Sequence, residues 1–149
     1  MSNSGDSERP AWVIRPFDMD DYPAVLRLWQ TAGEGVSIRP SDRPAEIAKK
    51  CTRDADLFLV AESQGMVIGV IMGAWDGRRG WLHHLAVDAN HRRHGVARSL
   101  ICHVEDRLRA KGCLKINLLV GKANRQARTL YRQLGYDEMT DYMPMGKEL

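Results

Sequence analysis

Between Trp81 and Val120 the chain is punctuated in a way that admits few folds. An apolar run, Trp81 to Val87, gives way to a short polar loop, Asp88 to His91. Arg92-Arg93-His94-Gly95-Val96-Ala97-Arg98 then turns into a helix with apolar residues at Ala97, Leu100, Ile101, Val104 and Leu108, a stripe at helical spacing. The helix ends near Lys111-Gly112, where glycine accepts the left-handed backbone that closes helices. A second apolar run covers Leu114 to Val120. Strand, helix and strand in that order form a crossover, and a crossover lays its two strands parallel.

The preceding stretch predicts an antiparallel meander. Leu57 to Glu62 and Met66 to Trp75 read as strands joined by Ser63-Gln64-Gly65, a hairpin spacing. Asp76-Gly77 then turns the chain into the Trp81 strand. Upstream, a strand around Trp12 to Arg15 precedes a helix that begins between Asp18 and Asp21. Asp18 as cap makes Phe17 and Tyr22 a hydrophobic staple; Asp20 as cap puts Pro23 where its missing N–H costs nothing. The sequence leaves both open. Tyr22, Val25, Leu26 and Trp29 form the apolar stripe of this helix. Thr31 to Asp42 is a loop, and a second helix capped by Ser41 or Asp42 runs towards Arg53. Asp141 to Glu148 is expected to add a last strand, with Pro144 at an edge. The fold expected is α/β: a mixed central sheet flanked by helices. Residues 1–11 are expected to be a polar tail and residues 12–149 one domain.

Several function classes fall away. A net charge of +3 is too small, and the basic residues too scattered among non-aromatic neighbours, for a nucleic-acid binder. Cys51, Cys102 and Cys113 are widely separated, so neither a zinc site nor a disulfide framework is indicated, and a reducing, cytoplasmic setting is expected. No apolar run approaches the ~20 residues that span a bilayer, and no membrane partner is expected. His91 and His94 flank two arginines, whose charge disfavours a metal cation; no metal is expected.

The chemistry of the crossover lies in its loop. The first N–H groups of a helix have no intrahelical partner and carry the positive end of its dipole. Gly95 lets backbone approach a ligand closely, and Arg92, Arg93 and Arg98 add charge. Such a loop suits a phosphate or pyrophosphate, or is a solvated turn that merely begins a helix.

Arg92, Gly95 and Ala97 match the three defined positions of the Gln/Arg-x-x-Gly-x-Gly/Ala signature, and the chain here resembles the Gcn5-related N-acetyltransferase (GNAT) superfamily. Asn124-Arg125-Gln126-Ala127-Arg128-Thr129-Leu130-Tyr131, followed by Gly135-Tyr136, looks like that family's closing segment, about thirty residues further on. The resemblance implies that the two strands of the crossover splay apart and that the pantetheine arm of acetyl-CoA enters the gap. It implies backbone partners for that arm at Leu85, Ala86 and Val87, and a pyrophosphate on the segment Arg92, Arg93, His94, Gly95, Val96, Ala97 and Arg98. Asn124 is then a hydrogen-bond partner of the arm, and a backbone N–H near Leu85 the oxyanion donor. The Thr31–Asp42 loop and the helix after it line the acceptor side. Tyr131 is implied as general acid to the departing thiolate. Its spacing with Ala127, Leu130 and Leu134 equally suits a core residue.

One position departs from the pattern. Many peptide-amine acetyltransferases of the family carry a Glu five residues before the motif Asn; here that residue is Leu119. His83, His84, Glu34 or a water chain are left as bases, and strand alternation allows only one of the two histidines to face the site. The function expected is transfer of an acetyl group from acetyl-CoA to an amine acceptor, small molecule or protein, by direct attack. The alternative is an acyl-CoA sensor of the same fold without acceptor chemistry. A homodimer is left open.

Overall fold

The computed structural model describes residues 11–149; the remainder of the expected tail lies outside the described residues. Five strands form one sheet in the order β1-β2-β3-β4-β5. They are β1 Val13–Pro16, β2 Phe58–Ser63, β3 Met66–Trp75, β4 Gly80–Val87 and β5 Ile116–Leu118. The first four pair antiparallel, and β5 joins β4 in parallel, as the crossover requires. Gln64 and Gly65 both have positive φ, 50° and 76°; two such residues between Ser63 and Met66 make the tight turn whose twist matches the strands.

Helices cover both faces. On one, α1 (Tyr22–Gln30) and α2 (Pro44–Arg53) bury Val25, Trp29 and Ile47 against Phe58, Val60, Val70 and Ala86. On the other, α3 (Val96–Ala110) buries Val96, Leu100, Ile101, Val104 and Leu108 against Leu57, Leu59, Ile71 and Leu82, and α4 (Arg125–Gln133) adds Tyr131. α3 lies close because the sheet presents glycines to it. A Cβ on Gly69 would meet Val96 Cγ1 at 2.9 Å, and one on Gly73 would meet Val104 Cγ1 at 2.7 Å. That contact fixes where the start of α3 sits beside the end of β4.

Several expectations need correction. Asp18 caps a 3-10 turn, Met19–Asp21: its carboxylate accepts the Asp20 N–H and the Asp21 carboxylate accepts the Asp18 N–H, and α1 begins only after this turn, with Pro23 in its first turn. Leu28 joins Val25 and Trp29 in the core, while Leu26 stays half-buried. Val96 replaces Ala97 at the head of the α3 stripe. Neither Ser41 nor Asp42 caps α2: both sit in a 3-10 turn, Pro40–Asp42, and Arg43 holds the cap position. Asp141 to Glu148 forms no strand, and Tyr142, Met143 and Met145 are exposed. β5 offers only a three-residue ladder, and Pro144 breaks any run of donors that would extend it.

Candidate active site

The site begins where a ladder stops. β4 and β5 pair at Gly80–Ile116, Trp81–Asn117 and Leu82–Leu118, and no further. β4 continues to Val87 against β3 alone, but with a bulge. Val70 opposes Ala86 and Met72 opposes His83, so Ile71 alone faces both His84 and Leu85. His84 takes up the extra residue in the left-handed region, at φ 53°. A bulge bends its strand and increases the local twist, which carries Leu85, Ala86 and Val87 away from β5. Their outer edge opens on a cleft of about 820 Å³.

The start of α3 forms the next wall. Gly95, at φ 89°, turns the chain into the helix in a conformation that residues with a Cβ rarely adopt. The first helical bond runs from Ser99 N to Gly95 O, 3.0 Å, and among the described residues the N–H groups of Val96, Ala97 and Arg98 have no partner. Arg92, Arg93, Arg98 and Arg125 line the same cleft, and none of them meets a carboxylate among the described residues. Free N–H groups, a helix dipole and four uncompensated guanidinium groups are a strong anion site. All the expected cofactor residues line the cleft except His94, which is exposed outside it.

Asn124 begins α4 and serves two purposes. Its Oδ1 accepts the Ala127 N–H at 3.2 Å, an N-cap. Its Nδ2 faces Gly35, where a Cβ would lie 3.8 Å away. Two turns further, Tyr131 is only 8% exposed, and its ring meets Tyr136 edge-on at 5.4 Å. Its hydroxyl has no hydrogen-bond partner among the described residues, and burial pushes its pKa up to about 12. Tyr131 lines a second cavity of about 60 Å³. The two cavities share Gly35, Leu85, Asn124 and Ala127 as walls, so they adjoin.

The smaller cavity gathers the base candidates unequally. Leu119 lines it and is 69% exposed, so no carboxylate stands there. Glu34 is exposed and lines neither cavity. His83 and His84 both line the smaller one; the bulge overrides the alternation that would have parted them. His83 stacks parallel to Trp81 at 6.2 Å, and partial desolvation, with His84 and Lys50 nearby, lowers its pKa. His84 Nε2 lies 2.9 Å from each oxygen of Asp42, a carboxylate that is 5% exposed. Asp42 reads in sequence as a helix cap, and no local pattern signals this contact. Gly35, where a Cβ would sit in ordinary contact with Asn124 Nδ2 and the Leu85 carbonyl, carries no signal either beyond being a glycine in a loop.

Comparisons with known proteins agree with this geometry. The model of the acetyltransferase (GNAT) family matches residues 20–136. An acetyltransferase of Sodalis glossinidius is 40% identical over 137 residues, covering 91% of this chain and 94% of its own. One from Pectobacterium atrosepticum has the same identity and coverage. Among solved structures, Ard1 from Thermoplasma volcanium superposes with a TM-score of 0.74 at 27% identity, over 84% of this chain and 82% of that one. The PaiA N-acetyltransferase of Thermoplasma acidophilum, solved with coenzyme A, shares the fold at a TM-score of 0.75 and 18% identity, over 85% of this chain and 89% of that one.

Proposed function

The chain belongs to the acetyltransferase (GNAT) family and is an acyltransferase, and on that premise we propose that it transfers an acetyl group from acetyl-CoA to a primary amine by direct attack in a ternary complex. The observation that carries the reading is that β4 leaves β5 at Leu82–Leu118 and runs on as Leu85 to Val87 along the same cleft as an unpaired helix start and arginines with no carboxylate partner among the described residues. An elongated ligand with an anionic end and amides along its arm suits both: the amides meet the free edge of β4 as a peptide would. Acetyl-CoA has that form and would supply an activated thioester.

In this reading the backbone N–H groups of Val96, Ala97 and Arg98 hold the pyrophosphate, and Asn124 Nδ2 steadies the arm. A backbone N–H near Leu85 meets the developing oxyanion. Proximity of thioester and amine accounts for much of the rate. Tyr131 donates its proton to the departing sulfur. With a pKa of about 12 the phenol stays protonated throughout the working range. Transfer from such a phenol to a free thiolate, pKa ~8.5, is uphill by roughly 5 kcal/mol. The proton therefore moves as the C–S bond breaks inside the same desolvated cavity, not in a separate step.

Calorimetry with CoA and acetyl-CoA, followed by thiol release against a panel of small amines and lysine peptides, tests the proposal. Binding together with amine-dependent thiol release is the expected outcome. Binding without release to any amine makes the chain an acyl-CoA sensor, and no binding removes the cleft assignment altogether.

A further inference from the structure

We propose that His84 is the base that removes the proton from the acceptor ammonium, and that Asp42 is the residue that positions it. This rests on the acyl-transfer reading above and provides the proton acceptor that Leu119 cannot be.

Donor and acceptor chemistry sets the tautomer of the ring. An ionised carboxylate only accepts, and both Asp42 oxygens are 2.9 Å from His84 Nε2. The hydrogen of the neutral ring is therefore on Nε2, and Nδ1 keeps its lone pair. Among the described residues Nδ1 makes no hydrogen bond, and the side chain is 24% exposed, so the ring reaches solvent. It belongs to the wall of the cavity that also holds Tyr131. A base and an acid thus share one small chamber, where the amine and the thioester must meet.

The pair is built and held. Asp42 Oδ2 accepts the Arg39 N–H at 2.9 Å, and the Asp42 carbonyl accepts the Tyr22 hydroxyl at 2.8 Å. Trp29 Nε1 donates to the His84 carbonyl at 3.2 Å, and its ring packs edge-on to the imidazole at 5.1 Å. His84 itself occupies a left-handed conformation at a bulge, which persists in a non-glycine residue only where its surroundings enforce it. A histidine that was merely filling space on β4 would need none of this.

The charged and titratable groups around the ring are few. Asp42 and Arg39 come from the turn before α2, His83 from the same strand, Tyr131 from α4, and Tyr22 from α1 through the Asp42 carbonyl. Lys50 of α2 lies near His83, and its ammonium is engaged by Asp54 and by the Gly73 carbonyl. Only Asp42 makes a hydrogen bond to the imidazole among the described residues.

The protons balance. The ammonium gives one proton to His84 Nδ1, and the imidazolium is stabilised by Asp42. The freed amine forms the C–N bond while the C–S bond breaks, with its electron pair going to sulfur. Sulfur takes the Tyr131 proton, and the second amine proton restores the phenol as the amide forms. One proton remains on His84 and passes to water.

The tests are His84→Gln and Asp42→Asn, read by pH profile, by cofactor affinity and by nitrogen NMR of the imidazole. The wild type should show the Nε2–H tautomer, and Asp42→Asn should lose that preference. His84→Gln should lower kcat/KM for the amine by roughly 10²–10⁴ and abolish its acid limb, while CoA affinity stays within about threefold. Asp42→Asn should retain that limb at a lowered rate, because the base is present but misdirected. In His84→Ala, added imidazole should restore part of the rate. A wild-type ring with its hydrogen on Nδ1, or a His84→Gln variant with an unchanged rate and acid limb, overturns the base assignment alone. A wild type that binds CoA and acetylates no amine overturns the acyl-transfer reading and this assignment with it.

Discussion

Leu82 and Leu118 are the last pair of the parallel ladder, and the bulge at His84 begins two residues beyond Leu82. The two facts have one consequence: the strand that leaves its neighbour is the strand that is bent. The cleft, the lack of a second strand partner at Leu85 to Val87 and the placing of both histidines at the smaller cavity all follow from that bend. Each part of the site can then be tested by a change that leaves the bend alone.

Gly95 is the first such part. An added Cβ would meet only Trp12, at 3.8 Å, so space is not the constraint; φ of 89° and the anion site are. Gly95→Ala adds backbone strain, which in left-handed positions costs of order 1 kcal/mol. Gly95→Asp adds the same strain and a negative charge beside the unpaired N–H groups. Both variants should melt lower by similar amounts, and only the Asp variant should lose CoA affinity by more than about tenfold, as charge on an anion site requires. Calorimetry and melting curves on both variants decide it. Equal affinity in the two would remove the phosphate site from the start of α3.

Asn124 separates into two roles by choice of substituent. Asn124→Ala deletes the cap on Ala127 N and the Nδ2 donor together, with a stability loss of about 1 kcal/mol. Asn124→Ser keeps a capping oxygen and deletes only the donor. The expected pattern is a lowered melting temperature for Ala alone, and a raised KM for acetyl-CoA in both. If the Ser variant has a wild-type KM, Asn124 is a helix cap and nothing more.

What the sequence made legible was what depends on neighbours along the chain. The meander, the crossover and the α3 loop are each set by local periodicity and turn residues, and they appear in the expected order, although the strand expected over Leu114 to Val120 pairs only at Ile116–Leu118. The motif residues Arg92, Gly95, Ala97 and Asn124 line one cleft. The bulge was not legible. It depends on the count of residues in β4 against β3, and strict alternation would have sent His83 and His84 to opposite faces. Asp42 was misread for a related reason: its local signal is that of a cap, while its partner is 42 positions away. Asp141 to Glu148 carries strand-like residues, but a strand also needs an edge to pair with, and β5 offers very little.

The glycines under α3 carry a stability expectation. A Cβ at Gly73 would lie 2.7 Å from Val104 Cγ1 and 3.0 Å from the Leu57 carbonyl oxygen. The valine can shift; the carbonyl, which already accepts the Gly73 N–H at 2.8 Å, cannot do so cheaply. Gly73→Ala should cost about 1–3 kcal/mol, the usual range for overpacking. Urea denaturation measures it, and a variant as stable as wild type would mean that α3 is not held by this contact.

Arg15 ties β1 to the turn before α1. Its two NH groups reach both Asp21 oxygens at 2.8 Å, and its Nε reaches Glu62 at 2.6 Å. The Arg15 hydrogen bonds hold the Asp21 carboxyl below its ordinary range, against the opposing effect of burial. The folded value is depressed, so this stabilisation is fully present above the unfolded value of ~3.8 and fades as pH falls through the folded one. Arg15 is a third exposed, so after screening the contribution is about 1–2 kcal/mol. Arg15→Met should lose that much near neutrality and show a shallower decline in acid. Urea midpoints at about pH 7 and about pH 3 test it; parallel pH curves for the two proteins would rule the pair out as an acid-sensitive tie.

Tyr131→Phe isolates the leaving-group proton. The substitution keeps the ring, its contact with Tyr136 and all of its apolar volume, so no cavity forms. The deleted hydroxyl has no hydrogen-bond partner among the described residues, so stability should hold or rise slightly. Acetyl-CoA affinity should hardly change, because the hydroxyl matters mainly as charge grows on sulfur. Turnover should fall by roughly 10²–10⁴. Because burial pushes the wild-type phenol's pKa up to about 12, its loss cannot be mimicked by raising the pH across the neutral range. A core role for Tyr131 expects near-normal turnover instead. The measurements are turnover with the best amine from the panel and direct acetyl-CoA affinity, in both proteins. Turnover within about threefold of wild type, with chemistry shown to be rate-limiting, would falsify the acid role.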